Sequence, residues 1–168
     1  MHEQGGGISP RTGTIMIGLA GFFGALCAMF PARYFGRKTL VFTGHCIMGV
    51  FLILVGVFSY NLYNNAALAF IMLFLITYQM SDGSITYLYV AEVVTDGALG
   101  FCLFGLKSTA LIISLTTEYI MDSPLHPYGA FWLYGGLASI GAVFIFFCMK
   151  ETRGLNDKEK KSLYSPKR

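Results

Sequence analysis

Five long apolar runs separated by four short polar segments organise this chain of 168 residues. The runs cover 13–30, 39–59, 66–91, 98–121 and 129–149, and the first, second and fifth contain no Asp, Glu, Lys or Arg. A helix needs about 20 mainly apolar residues to cross a bilayer. A soluble helix of that length would keep a polar face at the 3.6-residue period. The pattern therefore predicts an all-α polytopic membrane protein with five transmembrane helices. The connectors, 31–38, 60–65, 92–97 and 122–128, are short and contain turn formers such as Asn61, Asn64, Asn65, Pro124 and Pro127. Short connections make successive helices antiparallel, which gives one membrane domain over 13–149. A polar, glycine-rich tail, 1–12, precedes it and a basic tail, 150–168, follows it.

Composition agrees: 55% of the residues are hydrophobic and only 12% are charged, against about 25% charged in a globular domain. A nucleic-acid partner, a disulfide-stapled secreted domain and a soluble enzyme are excluded on that basis. The net charge of +3 is explained by placement, since ten of the twelve Lys and Arg lie in the first connector (Arg33, Arg37, Lys38) or the carboxyl-terminal tail. Five crossings put these two segments on one side, and the positive-inside rule makes that side the cytoplasm, or the matrix of a mitochondrion. The start of the chain lacks the basic region of a signal peptide, so the first run is expected to be a retained helix.

Few residues carry chemistry. Cys27, Cys46, Cys102 and Cys148 lie singly within the runs and read as small packing residues. His2, His45 and His126 have no second ligand one turn away, so neither a metal nor a cofactor is expected. No nucleophile–base set is present, and the chain is not expected to be an enzyme. Ionisable residues inside the runs are costly and therefore informative. Asp82 lies ten residues before Glu92, and Lys107 nine after Ala98, which puts both about 15 Å deep at 1.5 Å per residue. They are expected to meet, either as a structural ion pair or as a remnant substrate site, while Glu118 can snorkel outward. The run Ser81–Ser84 marks either a broken helix lining a cavity or close packing. The same packing role is expected for Gly18, Gly21, Gly24, Gly97, Gly100, Gly135 and Gly136.

Three segments then carry a resemblance. Phe35-Gly36-Arg37-Lys38-Thr39-Leu40 resembles the D-R-x-G-R-R-x-L loop of the sugar-porter branch of the major facilitator superfamily. Gly83-Ser84-Ile85-Thr86-Tyr87-Leu88-Tyr89-Val90-Ala91-Glu92 resembles its G-P-x-P-W-x-Y-x-x-E, and Glu151-Thr152-Arg153-Gly154-Leu155 resembles its E-T-K-G. The resemblance implies that the five runs correspond to the eighth through twelfth helices of a twelve-helix transporter, half of a major-facilitator-like bundle. It also implies that Tyr87, standing where the family has a sugar-facing tryptophan, is a remnant of a substrate site, beside the same reading of Asp82 from its depth. Departures accompany it: Arg33 and Tyr34 replace the loop Asp-Arg, Ser84 and Thr86 replace both prolines, Thr95 and Leu99 replace a proline and an arginine, and Lys150 replaces the proline before E-T-K-G.

Alternating access works by rocking one half of such a bundle against the other. The sequence holds one half, so the expected function is a non-transporting accessory subunit of a larger membrane assembly, with other membrane subunits as partners and the mitochondrial inner membrane as its site. The alternative is a half-size transporter for sugar or another small solute. It would work as a dimer or with a separate amino-terminal half, in the plasma membrane or another cellular membrane.

Overall fold

The computed structural model describes residues 10–122 and 126–164. They form helices α1 (Pro10–Cys27), α2 (Met29–Tyr34), α3 (Arg37–Tyr60), α4 (Asn64–Tyr78), a π-helical segment (Gln79–Thr86), α5 (Tyr87–Val93), α6 (Asp96–Asp122), α7 (His126–Cys148) and α8 (Asp157–Ser162). Among the described residues, four stretches are long and apolar enough to cross a membrane: Arg37–Tyr60, Asn64–Val93, Gly97–Ile120 and Pro127–Cys148. The first predicted span is shorter, its apolar helical part being Arg11–Cys27, and it begins inside what the sequence suggested was a polar tail. Pro31 accounts for its end, because a proline offers no N–H to the carbonyl of Cys27 four residues earlier. The helix breaks at Ala28 and resumes as the short α2.

The centre of the bundle is α3. It packs most extensively against α7 and α4, and α1 lies across α4 and the π segment. Close approach is set by missing side chains. A Cβ on Gly44 would overlap the Ser81 hydroxyl, one on Gly56 would overlap the Trp132 ring, and one on Gly135 would press on Ile53. Gly24 and Gly135 thus pack as the sequence suggested, whereas Gly18, Gly21, Gly97, Gly100 and Gly136 have nothing near them. The four cysteines are exposed rather than packed. Tyr60 and Tyr128 meet edge to face and Trp132 tilts against both at the end opposite the basic tail, the position at which amphipathic rings settle at a membrane surface.

The π segment explains the Ser81–Ser84 run. Its helix is widened, not broken. The Ser81 hydroxyl bonds back to the Thr77 carbonyl at 2.7 Å, which tends to bend a helix. Gly83 leaves room for the Gln79 amide, which a Cβ there would strike.

Candidate functional site

Where α3, α4, the π segment, α5, α6 and α7 face one another they line an open cavity of about 620 Å³, within the range of about 300–1,000 Å³ common for small-molecule sites. Its wall is mainly apolar, with polar groups from His45, Tyr78, Asp82, Thr86 and Tyr87. Asp82 accepts a hydrogen bond from Thr86 Oγ1 at 2.9 Å through Oδ1, and its Oδ2 lies 3.3 Å from His45 Nε2. His45 Nδ1 is 3.2 Å from the Val41 carbonyl oxygen one turn back.

The predicted partnership of Asp82 with Lys107 is therefore corrected. Equal depth does not fix azimuth: Asp82 turns toward α3, while Lys107 places Nζ 5.5 Å from the centre of the Tyr87 ring. A cation over an aromatic face is attracted by the ring quadrupole, and Tyr87 is the only one of the two groups that faces both the cavity and Lys107. His45, dismissed for lack of a ligand on its own helix, could have been found by the same depth count. It lies eight residues from Arg37, about 12 Å in at 1.5 Å per residue.

Below the cavity, at the basic end, the three motif segments converge. Arg37 Nη2 donates to Glu92 Oε1 at 3.0 Å, Thr152 Oγ1 donates to Glu92 Oε2 at 3.1 Å, and Lys160 Nζ lies 3.3 Å from Glu92 Oε1. Glu151 Oε1 accepts from the backbone N–H groups of Arg37, Thr152 and Arg153 at 2.9, 3.0 and 3.1 Å. Each glycine has a reason there. A Cβ on Gly36 would fall on the Glu151 carboxylate, and Gly154 turns the chain at φ 81°, a left-handed conformation that glycine adopts without steric cost. Lys38 Nζ donates to the Phe146 carbonyl at 2.7 Å, and Thr152 is fully buried.

The tail is folded onto this end. The hydroxyls of Tyr89 and Tyr164 share a hydrogen bond at 2.7 Å, to which one of them gives its single hydrogen, and the other donates to its carbonyl, that of Lys150 3.0 Å from Tyr89 Oη or that of Cys148 3.1 Å from Tyr164 Oη. Both tyrosines also line the cavity. The sequence pattern gave no signal for Tyr164, because a residue in a charged tail has no periodicity to report its contact.

The sequence model described as "Sugar (and other) transporter" matches residues 4–164. Among relatives, the facilitated trehalose transporter Tret1 of Apis mellifera ligustica is 29% identical over 94% of this chain. The facilitated glucose transporter member 2 of solute carrier family 2 from Mus musculus is 31% identical over 93% of it. The chain spans about a third of each relative, 33% and 31% respectively. The inward-open xylose transporter XylE from E. coli shares the fold, with a TM-score of 0.80 at 22% identity over 92% of this chain and 36% of that one. None of these named relatives supports the expectation of an accessory subunit or of a mitochondrial inner membrane. With the family model spanning nearly the whole sequence, this chain is an integral membrane protein that belongs to the sugar (and other) transporter family.

Proposed function

We propose that the chain forms the carboxyl-terminal helical half of a plasma-membrane solute transporter and holds a sugar in the cavity beside Tyr87, with the remaining helices supplied by further polypeptide. The observation that carries this reading is the placement of the cavity. It lies between the helices that bear the motif segments, directly above the Arg37–Glu92–Thr152 network. Both carboxylate oxygens of Glu92 in that network are paired, while Arg37 Nε is buried without a partner among the described residues. The basic end faces the cytoplasm, as the positive-inside rule requires. Tyr87 supplies an aromatic face for a sugar ring, and Thr86 and Tyr78 supply hydroxyls.

The test is uptake by proteoliposomes that contain this chain together with the amino-terminal seven helices of the honeybee trehalose transporter. Saturable, stereoselective uptake of trehalose or glucose, lowered at least tenfold by Tyr87→Ala, is the expected result. No uptake from that mixture or from the chain alone, together with co-purification of unrelated membrane subunits, would restore the accessory role.

A further inference from the structure

We propose that the groove between α5, the start of α6 and the carboxyl-terminal tail binds an anionic phospholipid of the cytoplasmic leaflet, with its phosphate at Lys161 and an acyl chain along Val90, Val93 and Cys102. The groove is a second open cavity, of about 440 Å³, and it shares Tyr89 and Tyr164 with the first. Its polarity is graded along the membrane normal. Val93 ends α5 and Asp96 begins α6, so Val94 and Thr95 lie where the chain leaves the membrane. Cys102 is six residues further along α6, about 9 Å toward the bilayer centre at 1.5 Å per residue. Lys161 of α8 lines the outer end of the groove, and Val90, Val93 and Cys102 line the inner end. A wholly polar anion would leave that inner wall uncovered, and a lipid of zero net charge would leave the ammonium uncompensated. A phospholipid of net negative charge meets both.

The charges around the groove leave Lys161 for such a ligand. Its chain neighbour Lys160 reaches Glu92 at 3.3 Å, and Glu92 is also held by Arg37 and Thr152. Lys161 is exposed, and among the described residues it has no ion pair or hydrogen bond. Tyr89 and Tyr164 give their hydrogens to one another and to a backbone carbonyl, so the Thr95 hydroxyl is the donor that joins Lys161 in lining the groove. Beyond Cys102 the surface of α6 stays apolar, with Phe101 and Phe104 exposed, and the rest of an acyl chain can follow it. The cytoplasmic leaflet carries a negative surface potential that attracts lysines, and basic pockets between transmembrane helices on that side suit lipid head groups.

The site rests on the orientation of the basic end and is independent of the sugar reading. Its test is native mass spectrometry of the full chain in detergent micelles supplied with equal amounts of phosphatidylserine and phosphatidylcholine, whose masses identify each bound lipid. The chain is expected to carry phosphatidylserine about fivefold over phosphatidylcholine, the worth of one lysine at an anionic surface. K161Q should bring the two lipids to parity, and V94W, which fills the groove without changing its charge, should do the same. K158Q alters a lysine of the same helix that does not line the groove and should keep the preference. If V94W loses helix content by circular dichroism, K161Q on the exposed tail decides alone. Equal binding of both lipids by the wild-type chain overturns the proposal, as does an equal loss in K158Q and K161Q, the mark of general surface attraction. Displacement of the lipid by glycerophosphoserine, the same head group without acyl chains, would make the ligand a soluble anion. Loss of the preference on adding the amino-terminal seven helices of the honeybee trehalose transporter would make the groove an interface within the bundle. Either of these results also overturns the lipid site.

Discussion

Helices α3 and α6 are both apolar and both long enough to cross a bilayer, yet their surroundings differ completely. α3 buries Val41, Gly44, Met48, Gly49, Leu52, Val55 and Gly56, and its glycines are filled by Ser81, Ser139 and Trp132. No part of the apolar window of α6 is buried; Phe101 and Tyr119 are about four-fifths exposed, and its glycines at 97, 100 and 105 meet nothing. Lipid tails are as apolar as Leu, so hydrophobicity cannot choose which helix goes inside. What distinguishes the two is complementarity, small residues set opposite larger ones.

That contrast breaks most easily at the charged end of the bundle. Removing Glu92 takes the carboxylate from Arg37 and Thr152 together, so Glu92→Ala is expected to cost about 3 kcal/mol, as loss of one member of a largely buried ion pair does. Glu118→Ala on the exposed α6 should stay within about 0.5 kcal/mol, the range of ordinary surface substitutions. Thermal unfolding in detergent measures both, and equal losses would erase the distinction. A smaller effect separates the glycines. Gly44→Val forces a side chain into Ser81 and should cost about 1–3 kcal/mol through overpacking, whereas Gly100→Val, with open space around it, should be within about 0.5 kcal/mol of neutral. Smallest is the tail clasp: Tyr164→Phe removes the hydroxyl that joins Tyr89 to Cys148 and should cost about 1 kcal/mol. Tyr119→Phe on α6 should show no change by the same unfolding assay.

The membrane helices themselves were legible because the length of an apolar run is a one-dimensional quantity. Runs at 39–59 and 98–121 became Arg37–Tyr60 and Asp96–Asp122 to within two residues. The motif resemblance picked out Gly36, Arg37, Glu92, Glu151 and Thr152 on three separate segments, and that they meet is visible only in the fold. Azimuth was not legible. Asp82 and Lys107 share a depth but not a face, since the π segment adds residues per turn and shifts every side chain after Gln79 relative to an α-helical count. The fate of the cysteines was hidden for a related reason: inside a bilayer, a small apolar residue suits the lipid face as well as the core.

The π segment has one more consequence, concerning how a bend is stored. In the motif that Gly83–Glu92 resembles, two prolines make the bend permanent, because an imide nitrogen has no hydrogen to give back. Here Ser84 and Thr86 hold those positions, each with its amide hydrogen intact. The widened turn is thus kept by ordinary donors that can change acceptor, one carbonyl at a time. The proline version is a fixed elbow, and this one is an adjustable joint whose slack is counted in hydrogen bonds.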